Sequence, residues 1–266
     1  MQKHFSHFVK LIYGMMIVVL GTALTYGGTL LAENAGESGG AGAGISKASA
    51  AGEAASAAQS AEKKPSRYEW RDLFDGKTLN GWKVPKFGGE GQVKVENGCI
   101  VMETGDPMTG IAWAGDFPKI NYEVEYVAKR TDGIDFFATV TFPVGDSFCS
   151  FVTGGWGGSV IGLSSINFND ASDNETTQFM VFKDNQWYKF RVRVTKAKIE
   201  VWVDEKKVVD FIIGDNKIST RYEVDLCKPF GFASWCSTGV IKSIRVRELT
   251  PEEVKAIEEE AEKTRL

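Results

Sequence analysis

What most constrains this chain is a succession of short alternating runs between residues 92 and 249, with no helix-length crossover among them. "QVKVENGCIVME" (92–103) is two alternating runs around Asn97-Gly98, the pair that favours a two-residue hairpin turn. Further runs follow at 121–130, 135–142, 147–153, 176–182, 187–195, 198–213, 230–235 and 241–249. The stretch 198–213 is long enough for two strands turning near Asp204-Glu205. Strands this close together cannot be joined by the long crossovers that parallel pairing needs. The pattern therefore predicts an all-β, antiparallel sandwich or barrel. One helix is expected at the end. Thr250-Pro251-Glu252-Glu253 supplies a capping threonine, a first-turn proline and a third-position glutamate. Its Glu- and Lys-rich continuation to 266 predicts a solvated surface helix.

The 266 residues divide unevenly. Residues 1–32 hold two lysines, Lys3 and Lys10, and no acid, with an apolar stretch at 11–31. They read as a signal peptide or as a retained membrane anchor, since a span needs about 20 residues. Either reading exports the remainder, to the periplasm or cell surface, and confines membrane contact to this segment. No cysteine precedes Cys99, which argues against a lipid-modified N-terminus. Residues 33–65 are rich in Ala, Gly, Ser and Glu and predict a disordered linker. Residues 66–249 form the expected sandwich domain, and 250–266 the helix. Beyond the first segment, 29 basic residues face 35 acidic ones without a basic cluster, so a nucleic-acid partner is not expected.

Histidine narrows the chemistry. Only His4 and His7 occur, both in the export segment. A Ser-His-Asp site, a Cys-His site or a His-bound metal is thereby excluded from the domain. The four cysteines, Cys99, Cys149, Cys227 and Cys236, show no CxxC spacing. A strand between Cys227 and Cys236 would hold them roughly 30 Å apart, too far for a disulfide.

Three places can carry function. The loop at 162–177 gathers Asn167, Asn169, Asp170, Asp173, Asn174 and Glu175. Such oxygen-rich loops suit sugar hydroxyls or a divalent cation such as calcium, although the spacing is not that of an EF-hand; a turn-rich connection explains the same residues. Asp135 stands beside Phe136 and Phe137, where a carboxyl can act as a general acid or simply cap a strand. Glu123 and Glu125 alternate as Arg191 and Arg193 do, which predicts cross-strand ion pairs on a wet face rather than a glycosidase pair. Finally, Trp156 sits inside Gly154-Gly155-Trp156-Gly157-Gly158. A ring on a glycine turn can serve as a flat platform for a sugar, or fill the core beneath a tight bend.

Three segments, "LFDGKTLNGW" (73–82), "FPVGDSFCSFVTGGWGG" (142–158) and "KPFGFASWCSTGVIKSIRVREL" (228–249), resemble the 3-keto-disaccharide hydrolase family, also called 3-keto-glycoside hydrolase/lyase domains. The resemblance covers about 68–249. It implies a concanavalin A-like jelly roll and cleavage of glycosides oxidised at carbon 3. In that chemistry the ketone acidifies a neighbouring C–H, proton removal expels the glycosidic oxygen, and water can add afterwards. The expectation is therefore an exported domain acting on carbohydrate, which hydrolyses or eliminates 3-keto-glycosides, with Asp135 and Glu175 as acid/base groups. Trp156 would be the sugar platform, with Asn174, Asp170 and Asn167 holding hydroxyls or a cation. A non-catalytic carbohydrate-binding module and a structural sandwich on a tether remain the alternatives.

Overall fold

The computed structural model describes residues 66–265. The expected export segment (1–32) and linker (33–65) lie outside the described residues. Two antiparallel sheets face one another. The first runs, edge to edge, Lys206–Ile212, Lys198–Val203, Tyr188–Val194, Tyr122–Gly133, Ser237–Glu248, Cys99–Met102 and Val93–Glu96, with Arg71–Asp72 also pairing with Ser237–Glu248. The second runs Gln178–Phe179, Val160–Ser164, Ser147–Gly154, Thr139–Val144, Gly231–Trp235, Met108–Trp113 and Trp82–Lys83. The chain is an all-β, antiparallel, concanavalin A-like sandwich with one C-terminal α-helix, Pro251–Arg265.

The core lies between the sheets and is strongly aromatic. Tyr122, Tyr126, Phe137, Phe142, Phe151, Phe190, Phe230 and Phe232 are fully buried. Tyr126 stacks on Phe190 at 4.8 Å between centroids. Its hydroxyl is buried without a hydrogen-bond partner among the described residues. The "LFDGKTLNGW" segment closes one end of this core. Trp82 donates its indole N–H to the Leu73 carbonyl at 2.8 Å and packs edge-on against Trp113. Asp75 ties the turn by accepting the N–H groups of Thr78 and Lys77 and the Thr78 hydroxyl, which holds its carboxyl down at about 2. This motif builds the fold.

Several expectations change. Residues 135–138 are not strand: Ala138 has φ 47°, a left-handed conformation that breaks the ladder before Thr139. The run 176–182 pairs only at Gln178–Phe179. Met108–Trp113 and Val160–Ser164 are strands without an alternating signal, because almost all their residues are buried on both faces. The C-terminal helix is not merely solvated. It buries Ile257 and Ala261 and docks through charge on the outer face of the first sheet. There Glu123, only 2% exposed, holds Arg193 at 2.5 Å and Arg247 at 2.7 Å. Arg247 also binds Glu253 of the helix, and buried Lys198 binds Glu260. The expected cross-strand pair Glu123–Arg193 is present, but on a covered face. Arg191 lies opposite Glu125 in register yet stacks on Trp202 at 3.9 Å, leaving Glu125 to Arg245 and Lys189.

Candidate functional site

The outer face of the second sheet is built differently. Pleating sends Val140, Phe142, Phe151 and Leu163 inward and leaves Thr139, Thr141, Ser150 and Ser164 outward. Thr141, Ser150 and Ser164 form a cross-strand row, with Gly231 beyond Thr141. Thr141 and Ser150 share a hydrogen bond at 2.9 Å. Short side chains in register leave a hollow, and the loops around it deepen it into a cavity of about 240 Å³. Ser150, Ser164 and Thr139 give it a hydroxyl floor. Trp156, Trp235, Phe136 and Val152 supply apolar walls, and Asp135, Arg221 and Glu223 place charge at it.

The glycine–tryptophan segment is a left-handed turn joining Ser147–Gly154 to Val160–Ser164. Gly154, Trp156, Gly157 and Gly158 all have positive φ. Trp156 at φ 51°, ψ 51° occupies a conformation that costs a bulky side chain free energy, so its neighbours must hold it there. At Gly158 a Cβ would fall 2.4 Å from the Ile134 carbonyl oxygen, so only glycine lets the turn lie against that backbone. Asp135 pins the turn from the same side. One of its oxygens accepts the Gly157 N–H at 2.9 Å and the other the Phe136 N–H at 2.8 Å. Ser237 in turn bonds the Asp135 backbone on both sides. The Trp156 ring is 46% exposed and forms a cavity wall, so it does not plug the core.

Arg221 reaches the opposite side of the cavity from just before a short 3₁₀ helix, Tyr222–Cys227. It donates twice to Glu223 and once to Asp170 at 2.7 Å. The Glu223 hydrogen bond raises the Arg221 pKa above its ordinary value. Burial pushes the Asp170 carboxyl up, but hydrogen bonds from Ser172 and Arg221 outweigh it and leave the group lowered. Burial pushes the Cys149 and Cys227 thiols up to about 12, which leaves neither as a ready nucleophile. All four cysteines are free.

The chain matches a sequence model described as the 3-keto-alpha-glucoside-1,2-lyase-like domain over residues 69–247. It belongs to that family. No curated protein matches it. Among solved structures, the Crh5 transglycosylase in complex with NAG aligns at 14% identity over 69% of this chain and 86% of that one, with a TM-score of 0.49. The carbohydrate-binding module CBM66 from Bacillus subtilis aligns at 12% identity over 63% and 96%, with a TM-score of 0.42. These are likenesses of fold. The family makes the chain a carbohydrate-related domain.

Within this lyase-like domain, the structure brings together two of the six residues expected from sequence. Asp135 and Trp156 line one cavity. Glu175 is exposed on the neighbouring loop and lines no part of it. Asn167 pairs its loop with 216–217, donating to Asn216 and accepting the Lys217 N–H. Asp170 acts on the cavity only through Arg221. Asn174 holds its own loop. Its amide nitrogen faces the carbonyl oxygens of Leu163, Asn169 and Asp170 at 2.8, 3.2 and 2.7 Å, while its oxygen accepts from Thr176. That nitrogen sits among three main-chain carbonyl oxygens of the loop. Among the described residues no three His, Cys, Asp or Glu side chains are grouped as metal ligands. Arg221, Glu223 and the hydroxyl floor were not singled out from sequence. The floor had a partial signal, Thr139 and Thr141 at alternate positions of "ATVTF"; the Arg221–Glu223 pair had none.

Proposed function

We propose that this is an exported carbohydrate-active domain whose cavity takes a single sugar ring of a 3-keto-glycoside and cleaves the glycosidic bond by elimination. The observation that carries the reading is the convergence of Trp156, Asp135 and Arg221 on one hydroxyl-floored hollow. At about 240 Å³ it lies below the roughly 300–1,000 Å³ usual for drug-sized ligands, which suits one ring rather than an oligosaccharide. The Trp156 ring offers an apolar face for the C–H side of a sugar. Ser150, Ser164 and Thr139 can exchange hydrogen bonds with its hydroxyls.

The reaction needs a base and a stabiliser for the enolate. Asp135 is the cavity carboxylate without a cationic partner among the described residues, which makes it the base that removes the proton beside the ketone. Arg221 has five N–H donors, of which three are used within the protein. The remaining two can donate to the ketone oxygen as negative charge develops there. The C–O bond to the leaving group then breaks, and the released alkoxide takes up a proton.

The test is incubation of the purified chain with 3-keto-glucosides, following release of the leaving group and formation of the unsaturated ketone. The reading expects turnover, lost in Asp135→Asn while ligand binding persists. Binding without turnover in the unaltered chain would leave a carbohydrate-binding module. One observation favours that second reading: both Asp135 oxygens already accept backbone N–H groups, as a purely positioning carboxylate would.

A further inference from the structure

The charges around the cavity do not balance. Glu223 and Asp170 share one guanidinium, that of Arg221. Asp135 adds a third carboxylate, held by backbone N–H groups only. Neighbouring cations are engaged elsewhere. Arg130 binds Asp184 at 2.7 Å and the Phe182 carbonyl at 3.1 Å, and meets Asp135 only at its main-chain oxygen, 3.4 Å away. Lys228 pairs with Asp225 and lies over the Phe148 ring. The Cys236 thiol, beside the cavity wall residue Trp235, is pushed up by burial and then by the charges of Asp135 and Asp106.

We infer that this cavity selects neutral and amino sugars and rejects uronic acids, because two carboxylates, Asp135 and Glu223, line it with one guanidinium, and that guanidinium is already shared between Glu223 and Asp170. The inference rests on the cavity being a sugar site. A ring ammonium would find in Asp135 a carboxylate that lacks a cation. A ring carboxylate would have to leave water for a site whose one cation already serves two anions. Apolar walls at Trp156, Trp235 and Phe136 reduce screening, so the discrimination is larger than on an open surface.

Calorimetric titration of the purified chain with three matched ligands tests this: a methyl glucoside, a methyl glucosaminide and a methyl glucuronide at neutral pH. The glucosaminide should bind about tenfold or more tightly than the glucuronide, with the neutral glucoside between them and the gap narrowing in high salt. Glu223→Gln, shown to be folded by circular dichroism, should improve glucuronide affinity several-fold relative to the glucoside. A glucuronide that binds as well as the glucosaminide overturns the selectivity while leaving the sugar site standing. So does an unchanged ratio in folded Glu223→Gln. Failure of all three ligands to bind overturns the selectivity, while turnover of 3-keto-glucosides tests the sugar site separately.

Discussion

The outer faces of the two sheets are made by the same pleat and end up opposite in character. On the first sheet the outward positions carry long charged side chains that meet across strands: Glu123 with Arg193 and Arg247, and Lys198 with Asp210 and Glu260. The C-terminal helix then covers part of that face. On the second sheet the outward positions at the centre are Thr139, Thr141, Ser150 and Ser164, which stop short and leave a hollow. Alternation decides which residues face out; their reach decides whether a face becomes a wall or a site. One face holds the fold together and the other is left hollow.

The sharpest way to break this contrast is Glu123→Gln. It leaves Arg193 and Arg247 with one carboxylate each, Glu200 and Glu253, and should cost about 3 kcal/mol in urea unfolding, with ligand affinity per folded molecule unchanged. A loss under about 1 kcal/mol would show that the ionic face is decoration. Gly158→Ala strikes the other face. Its Cβ must push the turn off the Ile134 carbonyl, costing about 1–3 kcal/mol and weakening sugar binding as Trp156 shifts. Trp156→Ala should lower affinity about tenfold, roughly 1.4 kcal/mol, with little change in melting temperature. A drop in stability without a drop in affinity would assign the ring to packing.

Acid probes the helix seal. The Arg247 hydrogen bond holds Glu253 below its ordinary 4.5. Because the folded value is the lower one, the stabilisation is complete above 4.5 and fades as pH falls through the folded value. The melting temperature should therefore decline in that acidic window, and Glu253→Gln should remove part of the decline. The smallest effect is expected between the faces. Tyr126→Phe deletes a buried hydroxyl without a partner and should leave stability unchanged or slightly raised, as read from the same unfolding curves.

Local chemistry was legible where one short segment settles it. Asn97-Gly98 forms its hairpin turn with positive φ at both residues. Thr250 and Glu253 cap the helix reciprocally, as their spacing predicts. Trp156 and Asp135 were visible because glycine and aromatic neighbours made them conspicuous. The loop at 162–177 misled for a physical reason. Amides and carboxylates that suit a ligand suit backbone carbonyls and turns equally well, and Asn174 is used in that way. Arg221 and Glu223 were illegible because sequence separates them from Asp135 by over eighty residues, and only the sandwich topology brings them to one cavity.

The position of the Asn174 amide has a consequence for how that loop responds to its surroundings. Three carbonyl oxygens converge there as they would around a bound ion, yet a covalently attached nitrogen sits among them. The chain has brought its own stopper. At that position the loop takes its shape from its own amide, and a chelator has nothing to withdraw from it.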